Sequence, residues 1–95
     1  MELQNAYRKQ MSAQLKEWSA QINLLEAQVA TAGAEMQVKR AAALNTLRAQ
    51  QHAASEKMRE LGSANDKAWD QVKLTADKVW QDLKDGIANT QAIFK

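Results

Sequence analysis

Thr31-Ala32-Gly33-Ala34 decides how this chain folds. If the chain reverses at Gly33, three segments of about thirty residues close into an up-down-up bundle. If it does not, residues 2–61 form one helix of roughly 90 Å, and the remainder covers only half of it. A glycine inside a helix costs only ~1 kcal/mol relative to alanine, whereas a reversal needs a cap. Thr31 is the candidate, but Glu35 stands one residue late for a capping box. A reversal at Gly33 is also expected to use its glycine in the left-handed conformation. The continuous helix is therefore the favoured reading, with Gly33 as a hinge.

The pattern on either side supports long helices. Met11, Leu15, Trp18, Ile22, Leu25, Val29, Ala32 and Met36 step by alternating fours and threes, the spacing of a coiled-coil seam. On nearly the opposite face Ala6, Ala13, Ala20, Ala27, Ala34 and Ala41 recur every seven residues, and this beat crosses Gly33 without slipping. It is read chiefly as helix-favouring composition. Past Arg40 the seam resumes as Leu44, Leu47, Gln51, Ala54, Met58 and Leu61, a stutter that relaxes supercoiling locally.

A second stop follows at Leu61-Gly62-Ser63-Ala64-Asn65-Asp66. Gly62 suits the position just past a helix end, and Ser63 with Asp66 approximates a capping box for the next helix. Beyond it Trp69, Val72 and Ala76 are echoed eleven residues later by Trp80, Leu83 and Ile87, with Phe94 extending the series. Eleven residues make almost three whole turns, so the stripe stays on one face. Lys73 with Asp77, and Lys78 with Asp82, stand at ion-pairing distance along this helix.

The fold expected is all-α: a long antiparallel helical hairpin or coiled coil, with a helix at about 2–61, a turn at 62–65 and a helix at about 64–94, forming a single domain over 1–95. The uncovered half of the long helix calls for a second copy, giving a domain-swapped antiparallel dimer. The alternative is a monomeric three-helix bundle with an extra turn at Thr31–Ala34. Both share the expected layers Met11/Ala54/Trp69, Trp18/Leu47/Ala76, Ile22/Leu44/Trp80 and Leu25/Ala41/Leu83. The core or interface set is Trp18, Ile22, Leu25, Leu44, Leu47, Met58, Leu61, Trp69, Val72, Trp80, Leu83 and Ile87, and the hinges are Gly33 and Gly62.

Composition narrows the function classes. The 95 residues include no proline and no cysteine, which excludes a disulfide framework, a thiol nucleophile and a thiolate zinc site. Thirteen basic and eleven acidic residues are interspersed, a net +2 that creates no strong field for nucleic acid or acidic lipid. The start lacks the basic and apolar regions of a signal peptide, and no apolar run reaches membrane-spanning length, so a cytoplasmic location is expected.

Little chemistry is available. His52, the single histidine, has only Glu56 at a ligand-compatible spacing and reads as a surface residue. Asp82/Asp85 and Glu56/Glu60 share helix faces but have basic neighbours and no sign of a pocket. Tyr7 and the hydroxyl residues lack a base at recognisable spacing, and no phosphate-cradling loop occurs. No catalytic, metal-binding or cofactor-binding residue is expected, and no enzymatic activity.

Ala13-Gln14-Leu15-Lys16-Glu17-Trp18, Ala68-Trp69-Asp70-Gln71-Val72-Lys73 and Val79-Trp80-Gln81-Asp82-Leu83-Lys84 together resemble a family of small bacterial coiled-coil proteins of about this length. The resemblance implies a bacterial, helical, non-enzymatic protein and carries over no functional residue. The expected function is a structural or protein-interaction coiled-coil module that forms a homodimer and engages an unidentified protein partner, without nucleic acid. The alternative is a peripheral lipid- or surface-binding amphipathic protein, with the membrane surface the less favoured partner.

Overall fold

The computed structural model describes residues 2–94, of which all but two short connections are helical: α1 at Glu2–Val29, α2 at Ala34–Ser63 and α3 at Asp66–Phe94. The all-α class is as expected. The chain reverses at residues 30–33 and closes on itself as the three-helix alternative rather than running on as one helix to Leu61. The bundle measures 51 × 18 × 17 Å. α2 packs along both neighbours, while the parallel pair α1 and α3 touch sparingly.

The reversal is secured from the side of the helix that ends. The Gln28 carbonyl accepts the Thr31 amide at 3.3 Å, the Thr31 hydroxyl at 2.8 Å and the Arg40 guanidinium at 3.3 Å. Ala32 N–H donates to Val29 O at 3.2 Å. These bonds satisfy carbonyls that a helix C-terminus leaves orphaned. Thr31 therefore acts as a terminator of α1 and not as a cap for α2. The start of α2 is indeed weakly capped, as its sequence suggests: Gly33 occupies the N-cap with φ −66° and ψ 164° and supplies no side chain. That backbone is ordinary extended conformation, so the expected left-handed glycine is not used.

The second turn also differs in detail. α2 continues through Gly62 to Ser63, whose hydroxyl donates back to the Arg59 and Glu60 carbonyls at 3.3 Å. The cap of α3 is Asn65, whose side-chain oxygen accepts the Ala68 amide at 2.9 Å. Asparagine is as good a cap as serine, and using it adds two residues to α2, each gaining a helical hydrogen bond. No described glycine has positive φ. Gly62 instead lets the Arg8 guanidinium lie close to the end of α2: a Cβ there would fall 3.1 Å from it, and the flexible arginine would shift slightly.

Nine of the expected core residues are buried: Ile22, Leu25, Leu44, Leu47, Leu61, Trp69, Trp80, Leu83 and Ile87, joined by Met11, Ala54, Ala76 and Thr90. Trp18, Met58 and Val72 are half-buried against them. Met36, expected on the seam, is 37% exposed, because the reversal carries it past the end of α1. All six alanines of the seven-residue beat face solvent, which leaves helix propensity as their role.

The layers slip along the helices. Leu47 lies against Gly86 rather than Ala76, with a Cβ on Gly86 falling 3.1 Å from Leu47 Cδ2. Ala76 instead joins Leu61 and Trp69. Trp80 shares a cleft with Met11, Gln14 and Trp18, about two turns nearer the start of α1 than Ile22. Sliding by whole turns keeps the same residues on the same face. The core set therefore survives while the neighbours change.

No helix carries a basic residue in its last turn. The negative ends of the helix dipoles are met from neighbouring helices instead. At one end of the bundle Arg40 of α2 donates to Gln28 O of α1 and, at 3.0 Å, to Phe94 O of α3. At the other end Arg8 of α1 lies against Gly62, in the last turn of α2.

Candidate interaction surface

Three seams separate the helices, and the α1/α3 seam is the most open, since these two helices touch least. Near its start it is closed by Tyr7, which reaches from α1 to α3. The Tyr7 phenol donates to the Asp77 carboxylate, its ring meets Trp69 edge-on at 5.8 Å, and the Lys73 ammonium sits 5.2 Å from its centroid. Burial first, then the hydrogen bond to Asp77 and its negative charge, hold the phenol protonated well above the usual tyrosine range. Asp77 and Lys73 thus serve Tyr7 instead of the ion pair their spacing suggested. No ion pair forms between Lys78 and Asp82 either; among the described residues the pairs are Arg48 with Glu26, Lys57 with Glu60, and Arg59 with Glu56.

Past Tyr7 the seam opens into two clefts in series. The first, about 540 Å³, lies among Met11, Gln14, Trp18, Asp77, Trp80, Gln81 and Lys84. The second, about 400 Å³, lies among Gln21, Leu24, Leu25, Gln28, Gln91 and Phe94. Their floor is apolar and their α1 rim is a run of uncharged amides, Gln14, Gln21 and Gln28, at seven-residue spacing. That repeat is visible in the sequence but is masked by the stronger alanine beat. The indole N–H of Trp80 is buried and finds no acceptor among the described residues.

The α1/α2 seam is bridged at mid-length by polar side chains and opens toward its turn into a cleft of about 430 Å³ among Glu26, Val29, Gln37, Ala41 and Leu44. Arg48 donates to Glu26 and to Asn23 Oδ1 at 3.0 Å, and Gln51 Nε2 donates to Ser19 Oγ at 2.8 Å. On the α2/α3 seam Asp82 and Asp85 line a cleft of about 360 Å³ beside Gln50 and Gly86. Asp85 accepts the Gln81 amide at 3.0 Å. Glu56 and Glu60, the other carboxylate pair, are each engaged by a basic neighbour.

His52 is exposed. No three histidine, cysteine or acidic side chains converge among the described residues. No described helix is long and apolar enough to cross a membrane. Comparison with protein families, with curated proteins and with solved structures gives no match for the chain.

Proposed function

We propose that this chain is a non-enzymatic structural or protein-interaction module of the coiled-coil kind, cytoplasmic and bacterial, which self-associates and engages a further protein. One observation carries the reading. The large side chains are largely consumed in helix packing, yet the α1/α3 seam is left open over most of its length, with apolar side chains on its floor, uncharged amides along its α1 rim and Asp77 and Lys84 on its α3 rim. Such a groove suits a helical surface better than a small polar substrate. The interspersed charge of the outer faces argues for a protein partner over nucleic acid.

The peripheral lipid-binding alternative requires α3 to detach and present its apolar stripe. That stripe is buried, and α3 is tied to its neighbours through Asp77 at one end of the seam and Phe94 at the other, which weighs against it. Two measurements test the proposal. Tryptophan fluorescence should stay unshifted on adding anionic vesicles, and the immobilised chain should retain a protein in stoichiometric amount from its native cell. A blue shift with vesicles and no retained protein would replace this reading with the lipid one.

A further inference from the structure

We propose that two copies of this chain pair antiparallel through the α1/α3 face, about a twofold axis passing beside Gln14 on α1 and between Trp80 and Gln81 on α3. This deepens the self-association proposed above and rests on it.

Two independent pairs of residues locate the same axis. Leu3 and Leu24 are 87% and 65% exposed, although each belongs to the residue type most expected inside. They lie three heptads apart on α1 and therefore on one stripe. That stripe borders α3: Leu24 lines the second cleft, and Gln4, next to Leu3, reaches Asp66. The midpoint between Leu3 and Leu24 falls beside Gln14. On α3, Asp77 and Lys84 lie one heptad apart in the first cleft, and their midpoint falls between Trp80 and Gln81. Gln14 and Trp80 line that same cleft. A single twofold axis there sets Leu3 against the partner's Leu24 and Asp77 against the partner's Lys84. Leu3 and Leu24 are covered and opposite charges meet.

The charge pattern selects a second copy as the occupant. Acid and base are placed symmetrically about the axis, so the face is complementary to itself, as an isologous interface requires. The area is adequate as well. A face 51 Å long and about 18 Å wide matches the ~800 Å² per partner of a stable interface. Exchange of α1 about Gly33, the other route to a dimer, reuses contacts the closed chain already makes and leaves Leu3, Leu24 and the clefts uncovered.

Sedimentation equilibrium and engineered cysteines test this on the full chain, which contains no cysteine of its own. A dimer is expected, with Leu24→Glu weakening it by about tenfold or more while the melting of the single chain is unchanged. On oxidation, a mixture of Leu3→Cys and Leu24→Cys proteins should cross-link one to the other far more than either links to itself. A chain that stays monomeric up to roughly 1 mM overturns both the pairing and self-association. A dimer indifferent to Leu24→Glu, or Leu3→Cys linking mainly to itself, overturns the face pairing alone and points to exchange of α1 or a parallel arrangement.

Discussion

The Arg40 guanidinium lies 4.7 Å from the centroid of the Phe94 ring and donates to the Phe94 carbonyl at 3.0 Å, while its other terminal nitrogen reaches Gln28 O. One side chain from α2 thereby joins the C-terminal ends of α1 and α3. Arg40→Leu should destabilise the fold by about 1–3 kcal/mol, read as a lowered urea midpoint, because two carbonyls and two helix dipoles lose their partner. Arg40→Lys should recover less than half of this, since an ammonium cannot reproduce the planar fork or stack on the ring. Full recovery by lysine would reduce Arg40 to a simple point charge.

The Tyr7 phenol predicts an alkaline weakness. A phenol whose folded-state pKa is raised binds its proton more tightly when folded, so the stability it contributes is complete below the unfolded value near pH 10 and is lost as pH rises through the folded one. Thermal melting of the native chain should fall from about pH 10 upward more steeply than that of Tyr7→Phe. At neutral pH the same variant should cost no more than ~1 kcal/mol, because the Asp77 partner is exposed. Parallel pH profiles for the two proteins would remove the bond to Asp77 from the account.

Gly33 predicts a gain. Its backbone is accessible to any residue, and a Cβ there meets nothing within 4 Å. Gly33→Asp should supply the missing cap of α2 and an anion at its positive end, adding a few tenths to about 1 kcal/mol and raising Tm by several degrees. Gly33→Ala should keep the three-helix fold. An unfolded Gly33→Ala protein would show that the reversal depends on a conformation only glycine adopts.

Gly86 predicts a loss that depends on size. A Cβ there would fall 2.1 Å from Gln50 Oε1 and 3.1 Å from Leu47 Cδ2. The flexible amide turns aside at little cost, but Leu47 is fully buried and yields less. Gly86→Ala should be near neutral, its helix-propensity gain of ~1 kcal/mol offset by crowding. Gly86→Leu should cost about 1–3 kcal/mol through forced separation of α2 from α3. Calorimetric melts of both variants give the comparison, and a Gly86→Leu protein as stable as the native chain would mean the helices are looser than described.

The helical class and the identity of the core could be read from the sequence because both are local or periodic. Ile22, Leu47 and Leu83 announce their burial by spacing alone. The reversal could not be read that way, because what closes α1 at Gln28 includes Arg40, twelve residues on in the next helix. Register was equally hidden. Moving α3 by whole turns exchanges Ala76 for Gly86 beside Leu47 without altering which face is apolar, so the hydrophobic pattern is degenerate against it. Gly86 itself is a lone helix-interior glycine whose meaning depends on a neighbour. The open α1/α3 seam left a faint trace, the Gln14, Gln21, Gln28 repeat, which becomes informative only once the helices are placed.

Because no helix carries a basic residue in its own last turn among the described residues, and each C-terminal end lies against an arginine from another helix, none of the three segments holds this complement when alone. Excised as peptides they should be poorly helical in water, and within the chain the loss of α2 strips the ends of α1 and α3, as the loss of α1 strips the end of α2. Unfolding is therefore expected in a single concerted step, with the arginine exchange at the two poles of the rod as the source of its cooperativity.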